Sequence, residues 1–342
     1  MRQTRTHPRT KPRRRKVTGS IAMTESPKPS LLSNSTLWKL QTLLTYSELI
    51  QLRRELLNHQ KISSQAALNI LNIVNPQKTA NPARPTIPTP HFSNEVSSIV
   101  SNETGDKYLG LNKTRTHETL SFWEIETLLK GKAISEMPLS LAIRGNPNIL
   151  SQPKVAIIGS RHPTYYGREQ AHIFARDLAK AGITIVSGGA IGIDTIANQA
   201  AFDNGNSCVV LGSGLNRPYP STNKHMFETF AGSKNGLVLS EFAHDCSPQK
   251  WNFPRRNRTI AALADFLLVI EATVTSGSML TVHAALEMNC DVGAIPGPID
   301  SATSEGTNSL IRDGAFCILK PSDVIERVHA IAAARIRKRT EI

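Results

Sequence analysis

The segment Lys250-Trp251-Asn252-Phe253-Pro254-Arg255-Arg256-Asn257-Arg258 sets four cations and two aromatic rings within nine residues. Cations neutralise phosphates, and aromatic faces stack unpaired bases. The competing reading buries Trp251 and Phe253 under a loop and pairs the arginines with Glu241, Asp245 or Glu271. On this segment alone the two readings stand even. A second signal comes from clusters of small residues: Gly159-Ser160-Arg161, Ser187-Gly188-Gly189-Ala190 with Gly192-Ile193-Asp194, Gly212-Ser213-Gly214 with Asn216, and Ser276-Gly277-Ser278. Glycine allows close backbone approach, and N–H groups at a helix start point at anions. Any one cluster is simply a turn; several on one edge make a phosphate-binding rim.

These clusters do not spell a nucleotide cofactor site. A dinucleotide fingerprint needs G-x-G-x-x-G after the first strand, and here Gly159 is followed only by the distant Gly167. After Gly212-Ser213-Gly214, position 217 is Arg, and no G-x-x-x-x-G-K-[ST] occurs. No cofactor is expected. No metal is expected either, because no acid or Cys completes a ligand set around His172 or His283. Ser160, Ser187 and Ser276 lack a His at a diagnostic spacing, so no catalytic nucleophile is assigned.

The clusters are placed by an alternation of short apolar runs and helical stretches. Strands are expected at 155–158, 183–186, 208–211, 237–239, 266–270 and 292–295, and helices at 167–181, 193–204, 221–232, 254–264, 277–289 and 305–313. Continuous apolar strands separated by helices mean a parallel sheet covered on both faces, an α/β doubly wound, mostly parallel fold. In such a sheet the ligand crevice lies outside the carboxyl ends of the strands, where the small-residue clusters fall.

Upstream, leucines at 37, 40, 44, 49, 52 and 56 and a stretch over 64–74 follow helical spacing, and five prolines between 76 and 90 read as a linker. A further helix is expected at 120–130. The expected organisation is a basic tail over 1–30, a small helical domain over 31–75, a Pro-rich and polar linker over 76–118, a Rossmann-like domain over 119–322 and a C-terminal basic helix over 323–342.

The chain has 342 residues, 39% hydrophobic and 20% charged, enough to bury a core. No apolar run approaches the roughly 20 residues of a membrane span. The four cysteines form no C-x-x-C pair, which fits a reducing cytoplasm. Eight of the forty Lys and Arg lie in residues 1–22, leaving +5 of the +13 net charge to the rest. That segment reads as a nucleic-acid-binding arm, a transit peptide although it lacks the apolar face, or an over-extended reading frame upstream of a true start at Met23. The charge alone does not establish a nucleic-acid partner.

Taken together, Ile158-Gly159-Ser160-Arg161, Ser187-Gly188 through Gly192-Ile193-Asp194, Leu211-Gly212-Ser213-Gly214-Leu215 with Tyr219-Pro220, Ser240-Glu241, Phe253-Pro254-Arg255-Arg256-Asn257-Arg258, Glu271-Ala272, Ser276-Gly277-Ser278 and Pro296-Gly297 resemble the DNA-processing protein A (DprA/Smf) family, in the right order over about residues 140–320. The resemblance implies an extended Rossmann fold that binds single-stranded DNA, forms homodimers and hands the strand to a RecA-type recombinase in natural transformation. It implies Arg161 as principal phosphate ligand supported by Gly159 and Ser160, Lys250 as a second basic contact and Phe253 as a base contact. Ser187, Gly188, Gly189 and the loop Ser276, Gly277, Ser278, Met279 would line the same pocket, with Arg255, Arg256, Asn257 and Arg258 beside it. The chain departs from the family pattern at Ile191 and Thr275, where arginines are usual, and at Asn198, where a His is common.

The rival reading is a nucleotide-processing N-glycosidase resembling the LOG-type phosphoribohydrolases, using Glu241 or Glu271, with Glu287 a further candidate. That family's P-G-G-x-G-T-x-x-E signature is absent. Glu241 and Glu271 are therefore expected to fix Arg255, Arg256 or Arg258. A third reading, a protein-interaction scaffold with a vestigial pocket, is opposed by the joint presence of Arg161, Lys250 and Phe253.

Overall fold

The computed structural model describes residues 118–129 and 137–340. The expected tail, helical domain and linker lie outside the described residues, except where the linker meets β1.

Among the described residues, nine strands form one sheet in the order β1-β2-β6-β5-β4-β3-β7-β8-β9. They are β1 (Glu118–Ser121), β2 (Ser140–Gly145), β3 (Lys154–Ile158), β4 (Thr184–Ser187), β5 (Ser207–Leu211), β6 (Gly236–Ser240), β7 (Phe266–Val269), β8 (Asp291–Ala294) and β9 (Phe316–Cys317). All pairings from β6 through β9 are parallel, whereas β1–β2 and β2–β6 are antiparallel. The helices are α1 (Phe122–Leu129), α2 (Tyr165–Lys180), α3 (Ile193–Asn204), α4 (Lys224–Ala231), α5 (Asn252–Leu263), α6 (Gly277–Glu287), α7 (Ala302–Arg312) and α8 (Pro321–Thr340). The expected doubly wound, mostly parallel α/β fold is the fold observed.

The alternation of side chains along a strand divides the core. Val155 and Ile157 of β3 pack with Phe174 and Leu178 of α2, Ala197 of α3 and Val324 and Val328 of α8. Ala156 and Ile158 face the other way, onto Ile260 of α5 and Val282 of α6. Strands buried on both faces must be apolar throughout, and β3 to β6 are buried at every position. A third cluster joins Val209 and Val238 to Phe227 and Phe230 of α4. Full burial of each such phenylalanine contributes about 1.5–3 kcal/mol.

A buried ion pair pins the amino ends of β3 and β7. Lys154 Nζ lies 3.5 Å from Asp265 Oδ2, with both side chains about 4% exposed, and also donates to the carbonyls of Leu150 and Gln152. The same carboxylate accepts the Lys154 backbone N–H at 2.8 Å.

Three local departures from the sequence reading have identifiable causes. The helix expected over 221–232 opens as a 3-10 turn, Ser221–Asn223, before α4. Asn223 Nδ2 donates to Gly189 O and Thr195 Oγ1, which fixes that turn against the β4 loop. Leu120 and Ser121, expected in a helix, close β1 and pair with Leu141 and Ser140. β9 is only two residues long, too short to carry a periodic signal.

The chain winds outward from β3 through β4, β5 and β6, then returns to place β7 on the other side of β3. The reversal makes β3–β7 the topological switch point, the position where open α/β sheets hold their ligands.

Candidate functional site

A cavity of about 360 Å³ opens at the carboxyl ends of β3 and β7. Its floor is the loop Gly159-Ser160-Arg161, which is held from several sides. The Ile193 N–H donates to Ser160 O at 3.1 Å, and Ser278 Oγ donates to Gly159 O at 2.8 Å. Gly192, at φ +87°, packs on the carbonyl of Ser160 so closely that a Cβ would collide with it. A Cβ on Gly159 would stand 2.7 Å from Ile193 Cγ1. Arg161 projects from this clamped loop, exposed and without an ion pair among the described residues.

The facing wall is the start of α6. Ser276 occupies the position before the first helical residue but makes no side-chain cap bond, and its buried hydroxyl has no hydrogen-bond partner among the described residues. The first N–H groups of a helix lack intrahelical acceptors and carry the positive end of the dipole. Thr273, Gly277, Ser278, Leu280 and Thr281 complete that wall. The side is closed by α5: Phe253 lies half-buried over Gly212, where a Cβ would come within 2.8 Å of the ring. Asn252 anchors the start of α5 by donating to Gly212 O at 3.1 Å.

Beneath the cavity sits Arg256, only 5% exposed. Its Nη1 donates to Gly188 O at 2.7 Å and to Val210 O at 2.8 Å, joining the ends of β4 and β5. Burial pushes its pKa down to about 10, with nearby Arg161 lowering it further and Asp194 and Glu241 opposing the fall. The guanidinium therefore stays charged at neutral pH. Asp194 is buried opposite; desolvation raises its pKa, while Arg256 and the N–H groups of Ala190 and Gly188 pull it down. A Cβ on Gly188 would meet Arg256 at 2.7 Å and Asp194 at 2.8 Å, so only glycine fits between them.

Of the residues expected to line the pocket, Gly159, Ser160, Arg161, Phe253, Arg256, Asn257, Ser276, Gly277 and Ser278 are brought together around this cavity. Ser187, Gly188 and Gly189 are not: all three are buried below it, and Ser187 Oγ donates to Ile157 O at 2.7 Å. Met279 turns away from the cavity and packs on the core. Lys250 is exposed on the loop ahead of α5, outside the cavity wall. Arg255 Nε meets the Glu241 carboxylate at 2.5 Å, and Arg258 Nη1 meets Glu287 at 2.5 Å. Thr273, Leu280 and Thr281 were missed by sequence reasoning, while Asp194 was read only as part of the Gly192-Ile193-Asp194 motif. Helical spacing from Gly277 was the signal for Leu280 and Thr281, one turn along the same face.

The carboxylates of the glycosidase reading are engaged elsewhere. Glu241, 4% exposed, accepts from Arg255 and from Thr259 Oγ1 at 2.9 Å. Glu271, 2% exposed, accepts from the N–H and hydroxyl of Thr164, which caps α2. Neither lines the cavity. The expectation that Glu271 fixes an arginine is corrected: Glu241 holds Arg255, Glu287 holds Arg258, and Arg256 is held mainly by carbonyls. A larger cavity of about 680 Å³, between β2 and α4, contains none of the expected ligand residues. Among the described residues no cluster of three or more His, Cys, Asp or Glu is placed to hold a metal, and no helix is long and apolar enough to cross a membrane.

Comparison with known proteins agrees with this architecture. The chain is 39% identical over 197 residues to protein Smf of Escherichia coli, a stretch covering 57% of this chain and 52% of that protein, so it spans about half of that relative's length. The crystal structure of DNA processing protein A from Streptococcus pneumoniae superposes with a TM-score of 0.67 at 30% identity, covering 86% of this chain and 98% of that one. DNA processing protein A from Helicobacter pylori, solved to address its single-stranded DNA binding mode, superposes with a TM-score of 0.56 at 33% identity, covering 64% and 97%. The family model for DNA recombination-mediator protein A matches residues 124–329, which include every strand from β2 onward and the whole cavity. With that span and this site, the chain belongs to the DNA recombination-mediator protein A family.

Proposed function

We propose that the chain binds single-stranded DNA across the carboxyl ends of its parallel strands. The observation that carries the reading is Arg161, an exposed guanidinium without an ion pair among the described residues, clamped at the switch point opposite the start of α6. Arg161 and the first N–H groups of α6 take phosphates, Lys250 takes a further phosphate outside the cavity, and buried Arg256 adds positive potential from below. A flexible strand can turn an unpaired base onto Phe253, whereas a duplex keeps its bases stacked. The single-stranded DNA binding described for the Helicobacter pylori relative supports the same assignment.

In this reading binding depends little on sequence and steeply on salt, because phosphate neutralisation dominates. Arg255, Asn257 and Arg258 position α5 rather than touch the strand, and Ser187, Gly188, Gly189 and Met279 support the loops from within. The protein acts as a binding module without a cofactor. It works in the cytoplasm as a homodimer that hands the strand to a RecA-type recombinase during DNA uptake or recombination, with residues 119–322 as the DNA-binding domain, the helix over 323–342 packed into its core through Val324 and Val328, 31–75 as a small helical domain joined by the 76–118 linker, and the basic residues 1–30 as an accessory arm.

The test is fluorescence anisotropy with labelled oligo-dT and a matching duplex, for the full chain, the chain from Met23 onward and Arg161→Ala. Tight binding to the single strand, retained from Met23 and lost in Arg161→Ala, is expected. Affinity that vanishes with residues 1–22 and ignores Arg161→Ala overturns the reading.

A further inference from the structure

We propose that Tyr219 forms a second base-stacking position beyond Phe253, with Arg217 taking the phosphate beside it; the proposal rests on the single-stranded DNA reading above. Tyr219 lies on the loop after β5, 46% exposed, with its ring centroid 5.8 Å from that of Phe253 and the two planes inclined at 59°. The inclination matters. The rings do not form one flat surface, so each offers its own face, and two successive bases can be received at different angles.

A strand pulled straight from the end of β3 to the end of β5 crosses two strand spacings, about 10 Å. That is the length of about three nucleotides at the roughly 3.4 Å rise of a stacked strand, so more than one base passes the aromatic rim on this course. An unstacked base gains by finding an aromatic face, at about 1–3 kcal/mol per base. Tyr219 is the ring that stands beside Phe253 on this rim.

The polar groups agree. The Tyr219 hydroxyl has no hydrogen-bond partner among the described residues, in contrast to Tyr166, whose hydroxyl donates to Pro296 O at 3.0 Å. Arg217, two residues earlier on the same loop, is exposed and makes no ion pair among the described residues. The turn that carries it is fixed by its own N–H to Gly214 O at 2.9 Å and by Asn216 N–H to His244 O at 2.8 Å. Trp251, 72% exposed ahead of α5, adds a third aromatic to the same rim.

The experiment compares full-length wild type with Tyr219→Ala, Tyr219→Phe, Arg217→Ala and Arg161→Ala, using dTMP as the short ligand, which fills a single base position, and oligo-dT of about 12 nucleotides as the long one. Tyr219→Ala is expected to weaken the long ligand about tenfold and to leave the short one within about twofold. Tyr219→Phe keeps the stacking face and stays within about twofold on both. Arg217→Ala is expected to reduce the salt slope by about 1 on the long ligand alone. Equal loss on both ligands in Tyr219→Ala overturns the proposal, because Tyr219 then only props Phe253. No loss on either, or an unchanged salt slope in Arg217→Ala, overturns it as well. If Arg161→Ala weakens neither ligand, the failure lies in the single-stranded DNA reading itself.

Discussion

The Glu271 carboxylate accepts two hydrogen bonds from Thr164, one from its N–H at 2.9 Å and one from its hydroxyl at 2.5 Å. It thereby ties the end of β7 to the first turn of α2, and through the Thr164 cap on Gly167 N–H it sets where that helix begins. The loop bearing Arg161 runs from the end of β3 to this capped start of α2. Gly167 packs against the same carboxylate so tightly that no Cβ fits.

Glu271→Ala is expected to lower stability by about 1–3 kcal/mol, the usual consequence of leaving buried donors without an acceptor. Thermal denaturation checks this, and Gly167→Ala is expected to lower the midpoint too, by steric conflict rather than by a lost bond. A carboxylate acting in catalysis would instead leave the midpoint unmoved.

Replacing Asp265 with Ala strands the Lys154 ammonium, a buried cation whose carboxylate partner is gone. Loss of one partner from such a pair typically costs about 3–5 kcal/mol. A denaturant titration is expected to register a loss of that size, with DNA affinity of the folded fraction unchanged because the pair lies at the opposite ends of the strands from the cavity.

Arg255 of α5 and Arg161 of the loop after β3 separate by role. Arg255→Ala removes the partner of buried Glu241 and is expected to lower stability while leaving the salt dependence of DNA binding as it was. Arg161→Ala is expected to do the reverse, flattening log K against log salt by about 1. Anisotropy over a salt series, paired with melting curves, tells them apart.

Asp194 gives stability a pH dependence whose sign is fixed by its environment. Burial raises its folded-state pKa above 3.8, so the native state keeps a proton that the unfolded chain has released. Stability therefore falls as pH rises through the window above 3.8. In Asp194→Asn that contribution is absent, so the difference between wild type and variant is expected to move in the variant's favour as pH rises above 3.8. Urea unfolding at several pH values measures it, and a difference that moves the other way refutes the assignment.

The parallel strands and the cavity floor were legible in the sequence because burial on both faces demands unbroken apolar runs, and two such runs end where Gly159 and Ser187 begin, while a third, ending at Ile270, leads to Ser276 within the next loop. The antiparallel edge was not: β2, Ser140–Gly145, sets only Leu141-Ala142-Ile143 between Ser140 and Arg144, an apolar run too short to signal a strand although Pro138 and Asn146-Pro147 bracket it. The arginine run also hid its division of labour. Residues on a helix advance about 100° each, so Arg255, Arg256 and Arg258 point three ways, and only the positions of Glu241, Gly188 O and Glu287 decide which is buried. The Ser187-Gly188-Gly189 cluster has the composition of a phosphate loop, yet the space above it is taken by Arg256 and Asp194.

At the far edge of the sheet, β9 offers just Phe316 and Cys317, and the guanidinium of Arg327 lies 3.2 Å above the Phe316 ring. An edge this short gives a neighbouring chain almost no backbone ladder to extend, which blunts fibre-like growth. Two copies that associate on this side must therefore be joined by side-chain packing rather than by a shared sheet, and such a contact can be undone by point substitutions without unravelling either fold.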